Sequence, residues 1–147
     1  YYWRKRVVDY FKNYPQFEII NPCENEFNIQ IMGLNGNKDS YNNAVYKIKG
    51  IELLVPKDFS YVKRSTMCIA NLNQYDKNKP ILGSFFELAW YYTMPQKVVI
   101  GVFVGDPTTN LLTNHPFTRA AVNMWVQNEI EAAEILRYYY EDKGKEY

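Results

Sequence analysis

The chain predicts an α/β fold built on a parallel sheet, and three observations carry that prediction. Two apolar runs, Met67-Cys-Ile-Ala-Asn-Leu72 and Lys97-Val-Val-Ile-Gly-Val-Phe-Val104, are short and rich in aliphatic residues, as buried strands are. Between them residues 84–93 carry a helical pattern opened by Gly83-Ser84 and stopped at Met94-Pro95. Strand, helix and strand in that order make a crossover unit, the connection that parallel strands require.

The other elements follow in order. Residues 1–13 read as a helix, because Trp3, Val7 and Phe11 recur at i, i+4 and i+8 and form one apolar stripe. Phe17-Glu-Ile-Ile-Asn21 reads as a short strand ended by Pro22. From Cys23 to Asn43 the chain is polar and carries glycines, and Phe27, Ile29 and Ile31 alternate before Gly33-Leu-Asn-Gly36, so a hairpin and a structured loop are both open. The apolar stretch Ile51–Pro56 leads through Lys57-Asp58 to a helical pattern over Phe59–Arg64, for which Asp58 is a natural N-cap. Beyond Gly105-Asp-Pro107 a loop carries Asn110-Leu-Leu112, and one long amphipathic helix is expected from Thr118 to Tyr140, before a charged tail. Strands 17–21, 67–72 and 97–104 are expected to lie parallel in one sheet of a single domain spanning 1–147. A doubly wound sheet normally opens with a central strand, and here no strand precedes the first helix, so that strand is expected to be missing from this sequence.

With 47% hydrophobic and 22% charged residues the chain is globular. Seventeen basic against sixteen acidic residues give a net charge of +1, which leaves no electrostatic footprint for a polymeric nucleic acid. No apolar run approaches the roughly 20 residues of a bilayer span, and Tyr1-Tyr-Trp-Arg-Lys-Arg6 lacks a signal-peptide core, so a cytoplasmic protein without a membrane partner is expected. Cys23, Cys68 and the single His115 show no metal-ligand spacing, so free thiols and no metal are expected. Fourteen tyrosines suit both subunit interfaces and stacking on nucleobases.

Glu87 is the residue to explain. It is the one charge among Ser84, Phe85, Phe86, Leu88, Ala89 and Trp90, and the pattern puts it in the first turn of a helix at the carboxyl edge of the sheet, where open α/β sheets bind ligands. The positive end of the helix dipole there favours a charged, nucleophilic carboxylate. Ordinary helix-end chemistry is the structural alternative. His115, preceding Pro116 in a loop, reads as structural, no Gly-x-Ser-x-Gly elbow occurs, and Gly33–Gly36 lacks the Lys-Ser/Thr of a phosphate loop.

Together, Asp58-Phe-Ser-Tyr-Val-Lys-Arg-Ser65, the strand ending Ala70-Asn-Leu72, Gly83-Ser-Phe-Phe-Glu-Leu88, and Trp3-Arg4 followed by Ile20-Asn-Pro22 resemble the nucleoside 2-deoxyribosyltransferase family, with its related 2′-deoxynucleoside 5′-phosphate N-hydrolases. The resemblance covers most of the chain and is interrupted between Cys23 and Ile51. It implies a flavodoxin-like doubly wound sheet, a homo-oligomer, a small-molecule nucleoside or nucleotide substrate, and cleavage of the N-glycosidic bond through a covalent glycosyl-enzyme intermediate. The acceptor would be another base or water, and no metal or redox cofactor is needed. Glu87, four residues after Gly83, takes the nucleophile's position, and Asp58 that of the residue assisting base binding and proton transfer. The resemblance also implies Gly83, Ser84, Asn71 and Asn73 as substrate-binding residues and Asn110 as one lent to a neighbouring subunit. Family members carry an aspartate or serine shortly before the glycine, where this chain has Pro80-Ile-Leu82, so the sugar or phosphate contact would move to Ser84 or to residues 73–79. A non-catalytic nucleotide-binding module of the same fold is the alternative.

Overall fold

The computed structural model describes residues 2–24, 53–78 and 81–143. The chain divides into two compact units, Tyr1–Ile19 with Ser65–Tyr147, and Ile20–Arg64. The first unit carries α1 (Tyr2–Phe11), and helix α2 (Leu54–Arg64) belongs to the second. Back in the first unit come β1 (Met67–Asn71), α3 (Leu82–Tyr92), β2 (Val98–Val102), a short 3-10 turn (Pro107–Thr109), α4 (Pro116–Ala121), β3 (Met124–Val126) and α5 (Glu129–Lys143).

The described strands form one open sheet in the order β1-β2-β3, parallel throughout. Cys68 stands opposite Val99, Asn71 opposite Val102, and Val102 opposite Val126. The crossover from β1 through α3 to β2 is the unit the sequence predicts. Parallel strands bury both faces, which is why β2 is the continuous apolar run Val-Val-Ile-Gly-Val, buried at its last four positions.

One face packs on α5, where Ile100, Val102 and Val126 of the sheet meet Ala132 and Leu136. Helix α1 lies on α5 in turn: its stripe Trp3, Val7 and Phe11 closes over Ala133. Polar ties fix the same pair, because Arg6 ion-pairs with the buried Glu129, and Arg137 Nε donates to Tyr10 Oη at 3.0 Å. On β2 itself, Gly101 leaves room for an aromatic ring, since a Cβ there would stand 2.6 Å from Trp125 Cε3. Helix α3 packs on β2 and on α4.

Two expected elements are corrected. Phe17–Asn21 forms no strand; the Phe17 ring packs instead on Phe11 and Tyr140, with centroids 4.9 and 5.0 Å away, and its backbone N–H closes a turn onto Tyr14 O. The third strand is Met124–Val126, inside the segment expected to be one long helix. That helix is divided by two asparagines. Asn123 clamps β2, its Oδ1 accepting from Val99 N at 2.8 Å while its own N–H donates to Val99 O at 2.9 Å. Asn128 Oδ1 caps α5 by accepting from Ile130 N and Glu131 N at 3.1 and 2.9 Å. The hairpin or loop expected over residues 27–43, and the Gly33–Gly36 turn, lie outside the described residues.

Candidate functional site

The carboxyl edge of the sheet is held by asparagine side chains. Asn71 Oδ1 accepts from the backbone and side chain of Asn73 at 3.1 and 2.9 Å, and Asn71 Nδ2 donates to Tyr75 Oη at 3.0 Å. Asn73 Oδ1 in turn accepts from Val104 N at 2.9 Å. The two residues therefore knit the turn after β1 to the turn after β2. Gly105, at φ 105°, completes that second turn with a conformation that favours glycine, and Gln127 holds its N–H and C=O at 2.9 and 3.1 Å.

Beyond Gly105 the loop is self-supporting. Asp106 caps the 3-10 turn through Thr108 N, and the buried Thr113 hydroxyl donates to Pro107 O at 2.5 Å. Asn110 Oδ1 accepts from Leu112 N and Thr113 N at 2.9 and 3.3 Å, which pushes Leu111 outward. Between this loop and the start of α3 lies an open cleft of about 680 Å³, walled by Gln74, Ile81, Leu82 and Phe85 on one side and by Thr109, Asn110, Leu111 and Leu112 on the other. His115 caps α4, its Nδ1 accepting from Phe117 N at 3.4 Å, the structural role its position predicts.

Helix α3 begins at Leu82 rather than at Ser84. Ile81 is its N-cap, with no side-chain hydrogen bond, and Gly83 and Ser84 lie inside the helix. Glu87 consequently sits in the second turn and not the first, beyond the short reach of the helix dipole. It projects about 200° around the helix from Phe85, at 3.6 residues per turn, so it points away from the cleft wall.

There Glu87 joins a half-buried polar group between α3 and β1. Burial pushes the Cys68 thiol up to about 12, the negative charge of Glu87 adds to the shift, and a hydrogen bond with Tyr91 opposes it. Tyr91, one turn after Glu87, is raised by burial and then by Cys68, with its hydrogen bond to Ser65 opposing and Glu87 adding. The Tyr91 hydroxyl and Ser65 Oγ are bonded to each other, and Lys97 Nζ donates to Ser65 O at 2.5 Å while lying 5.5 Å from the Tyr91 ring centroid. Sequence reasoning did not single out Cys68, Tyr91, Ser65 or Lys97; the available signal was the i, i+4 spacing of Glu87 and Tyr91.

Asp58 belongs to the other unit, within α2. The N-cap expected of it is corrected: the helix starts four residues earlier, at Leu54, since Pro56 is tolerated in a first turn. Asp58 Oδ1 is buried, and among the described residues its polar neighbour is Lys57 Nζ, an ion pair at 3.3 Å. Burial raises the Asp58 pKa, with Lys57 opposing, so the protonated carboxyl is favoured relative to an exposed aspartate. Of the sequence-predicted residues, Asn110 lines the cleft, Asn71 and Asn73 bind each other, Gly83, Ser84 and Glu87 lie on α3, and Asp58 lies on α2.

Comparison with family models, curated proteins and solved structures finds no match to this chain. The functional reading rests on the residues themselves.

Proposed function

We propose that the protein cleaves the N-glycosidic bond of a (deoxy)nucleoside or nucleotide on a flavodoxin-like, cytoplasmic, homo-oligomeric scaffold. The observation that carries the reading is Glu87: the one charged residue of an otherwise uncharged helix, set beside a half-buried thiol and a buried tyrosine. A carboxylate placed there at a cost in solvation needs a chemical reason.

The chemistry follows from the residue types. A Glu87 oxygen attacks the anomeric carbon, the bond to the base breaks, and its electron pair leaves on the base nitrogen. Delivery of a proton to that base falls to Asp58, the residue in the family's assisting position, whose pKa burial shifts upward, the direction a general acid needs. A second base or water then displaces the carboxylate from the sugar, and two displacements at one carbon give net retention.

The test is incubation with deoxynucleosides and deoxynucleotides followed by chromatography of the products. Glu87→Gln is expected to abolish base release while the protein stays folded, and a 2-fluoro-2-deoxy sugar substrate is expected to leave a glycosyl adduct on Glu87 visible in the intact mass. One observation favours the alternative of a non-catalytic nucleotide-binding module: the cleft is walled by Gln74, Phe85 and Asn110, with Glu87 turned away from that wall. Wild-type protein that binds a nucleoside yet gives neither product nor adduct decides for the module.

A further inference from the structure

Asn71 and Asn73, the two asparagines at the ligand-binding edge of the sheet, turn their polar atoms on each other and on the backbone. Both amide hydrogens of Asn73 are committed, Nδ2 donating to Asn71 Oδ1 at 2.9 Å and to Val102 O at 3.4 Å. Asn71 Oδ1 accepts that bond and a second from Asn73 N at 3.1 Å, which fills the two lone pairs of an amide oxygen. The other end of the Asn71 amide, Nδ2, donates to Tyr75 Oη at 3.0 Å. A chain of bonds thus runs from the backbone of β2 through Asn73 and Asn71 and ends on one phenol.

Tyr75 is 75% exposed. An exposed side chain ordinarily keeps its rotamer freedom, and fixing it costs entropy that burial of this ring does not offset. The ring is nonetheless tied to the carboxyl end of β1, the edge at which open parallel sheets bind ligands. Gln74, the residue before it, stands in the wall of the cleft, and consecutive Cα atoms are about 3.8 Å apart, so the phenol springs from the cleft's margin. Its oxygen is bonded to Asn71, which leaves the ring as the surface it presents.

We propose that Tyr75 is the platform on which the flat base of the ligand stacks, and that Asn71 and Asn73 are positioning residues that hold the platform instead of touching the ligand. The proposal rests on the reading of the ligand as a nucleoside or nucleotide, whether that ligand is cleaved or only held. Every base has a π face, and an aromatic side chain against it is worth on the order of ten- to a hundredfold in affinity. A sugar or a phosphate has no such face, so the base is the part that Tyr75 selects. A ring already fixed when the ligand arrives also loses less freedom on binding.

Calorimetric titration with deoxyadenosine, deoxyguanosine, deoxycytidine and thymidine tests it, with 2-deoxyribose as the control that lacks a base. Wild-type protein is expected to bind at least one nucleoside and to bind the bare sugar far more weakly. Tyr75→Ala is expected to weaken nucleoside binding about ten- to a hundredfold, with an unchanged far-ultraviolet spectrum because the side chain is exposed. Tyr75→Trp, which keeps an aromatic face, is expected to retain binding. Asn71→Ala is expected to weaken binding less than Tyr75→Ala does, and to have no further effect once Tyr75 is alanine, because it acts through the ring. Wild-type protein that releases base while Tyr75→Ala binds as tightly as wild type overturns the proposal and spares the glycosidase reading. Wild-type protein that binds none of the four nucleosides overturns both. An Asn71→Ala loss that is equally large without the Tyr75 ring assigns Asn71 to the ligand directly and overturns its positioning role.

Discussion

Burial raises the Asp58 carboxyl pKa above 3.8, and the sign of that shift fixes what its removal does. A carboxyl whose folded pKa exceeds its unfolded one contributes its full stability below the unfolded value and loses it as pH rises through the folded value. The ionised form of Asp58 is therefore a burden on the fold. Asp58→Asn is expected to raise the melting temperature at pH 7, with the advantage shrinking as pH falls towards 4, as thermal melts across that range would read out. Under the proposed mechanism the same substitution slows turnover less than Glu87→Gln does, so a more stable but less active variant is the joint outcome. A variant less stable than wild type at pH 7 would contradict the burial of this carboxyl. Glu87 itself was legible because one charge in Leu82–Tyr92 stands out in any reading. Its setting was less legible. A shift of two residues in the helix start moved it from the first turn to the second, and helix ends are where local pattern is weakest.

Elements were legible where periodicity and punctuation agreed. The stripe Trp3, Val7, Phe11 gave α1, and the two aliphatic runs around a helix gave β1, α3 and β2. The third strand was hidden because Met124-Trp-Val126 has only three residues, too few to show a period of two, and Val122, Val126 and Ile130 imitate a helical stripe across it. The overlooked signal was capping chemistry: Asn128 followed three residues later by Glu131, whose Oε2 accepts from Gln127 N at 3.2 Å. Asn128→Ala is accordingly expected to destabilise the first unit by about 1 kcal/mol, the usual cost of a lost N-cap, measured as a lowered denaturant midpoint. A near-zero effect would mean that α5 is held by its buried Ala132, Ala133 and Leu136 alone. Phe17–Asn21 failed as a strand for a tertiary reason, since the aromatic cluster of Phe11, Tyr14 and Tyr140 claims Phe17.

At the scale of the molecule, the parallel sheet buries one face against α5 and sets the other against α3, and the α3 side contains ionisable groups. Burial is the chief cause that raises the pKa of both Cys68 and Tyr91; the Cys68 charge raises Tyr91 further, while the hydrogen bond from Tyr91 opposes the shift of Cys68. Unfolded, a thiol of this kind ionises near 9 and a tyrosine near 10, while in the fold Cys68 keeps its proton to about 12 and Tyr91 is raised as well. The folded state therefore binds more protons than the unfolded state across the window from pH 9 to 12, and its stability falls as pH rises through it. Each group that withholds its ionisation costs up to about 1.4 kcal/mol per pH unit. Denaturant midpoints are thus expected to hold level from pH 7 to 8.5 and to drop above pH 9. Cys68→Ala should flatten the first part of that decline, because it removes the lower-titrating group, and Tyr91→Phe should flatten the later part. The Tyr91→Phe variant also loses the bond to Ser65, so its midpoint should start lower at pH 7 before it levels. A wild-type profile that stays flat to pH 11 would mean that both side chains reach solvent. It would also remove the enclosed setting on which the unusual placement of Glu87 depends.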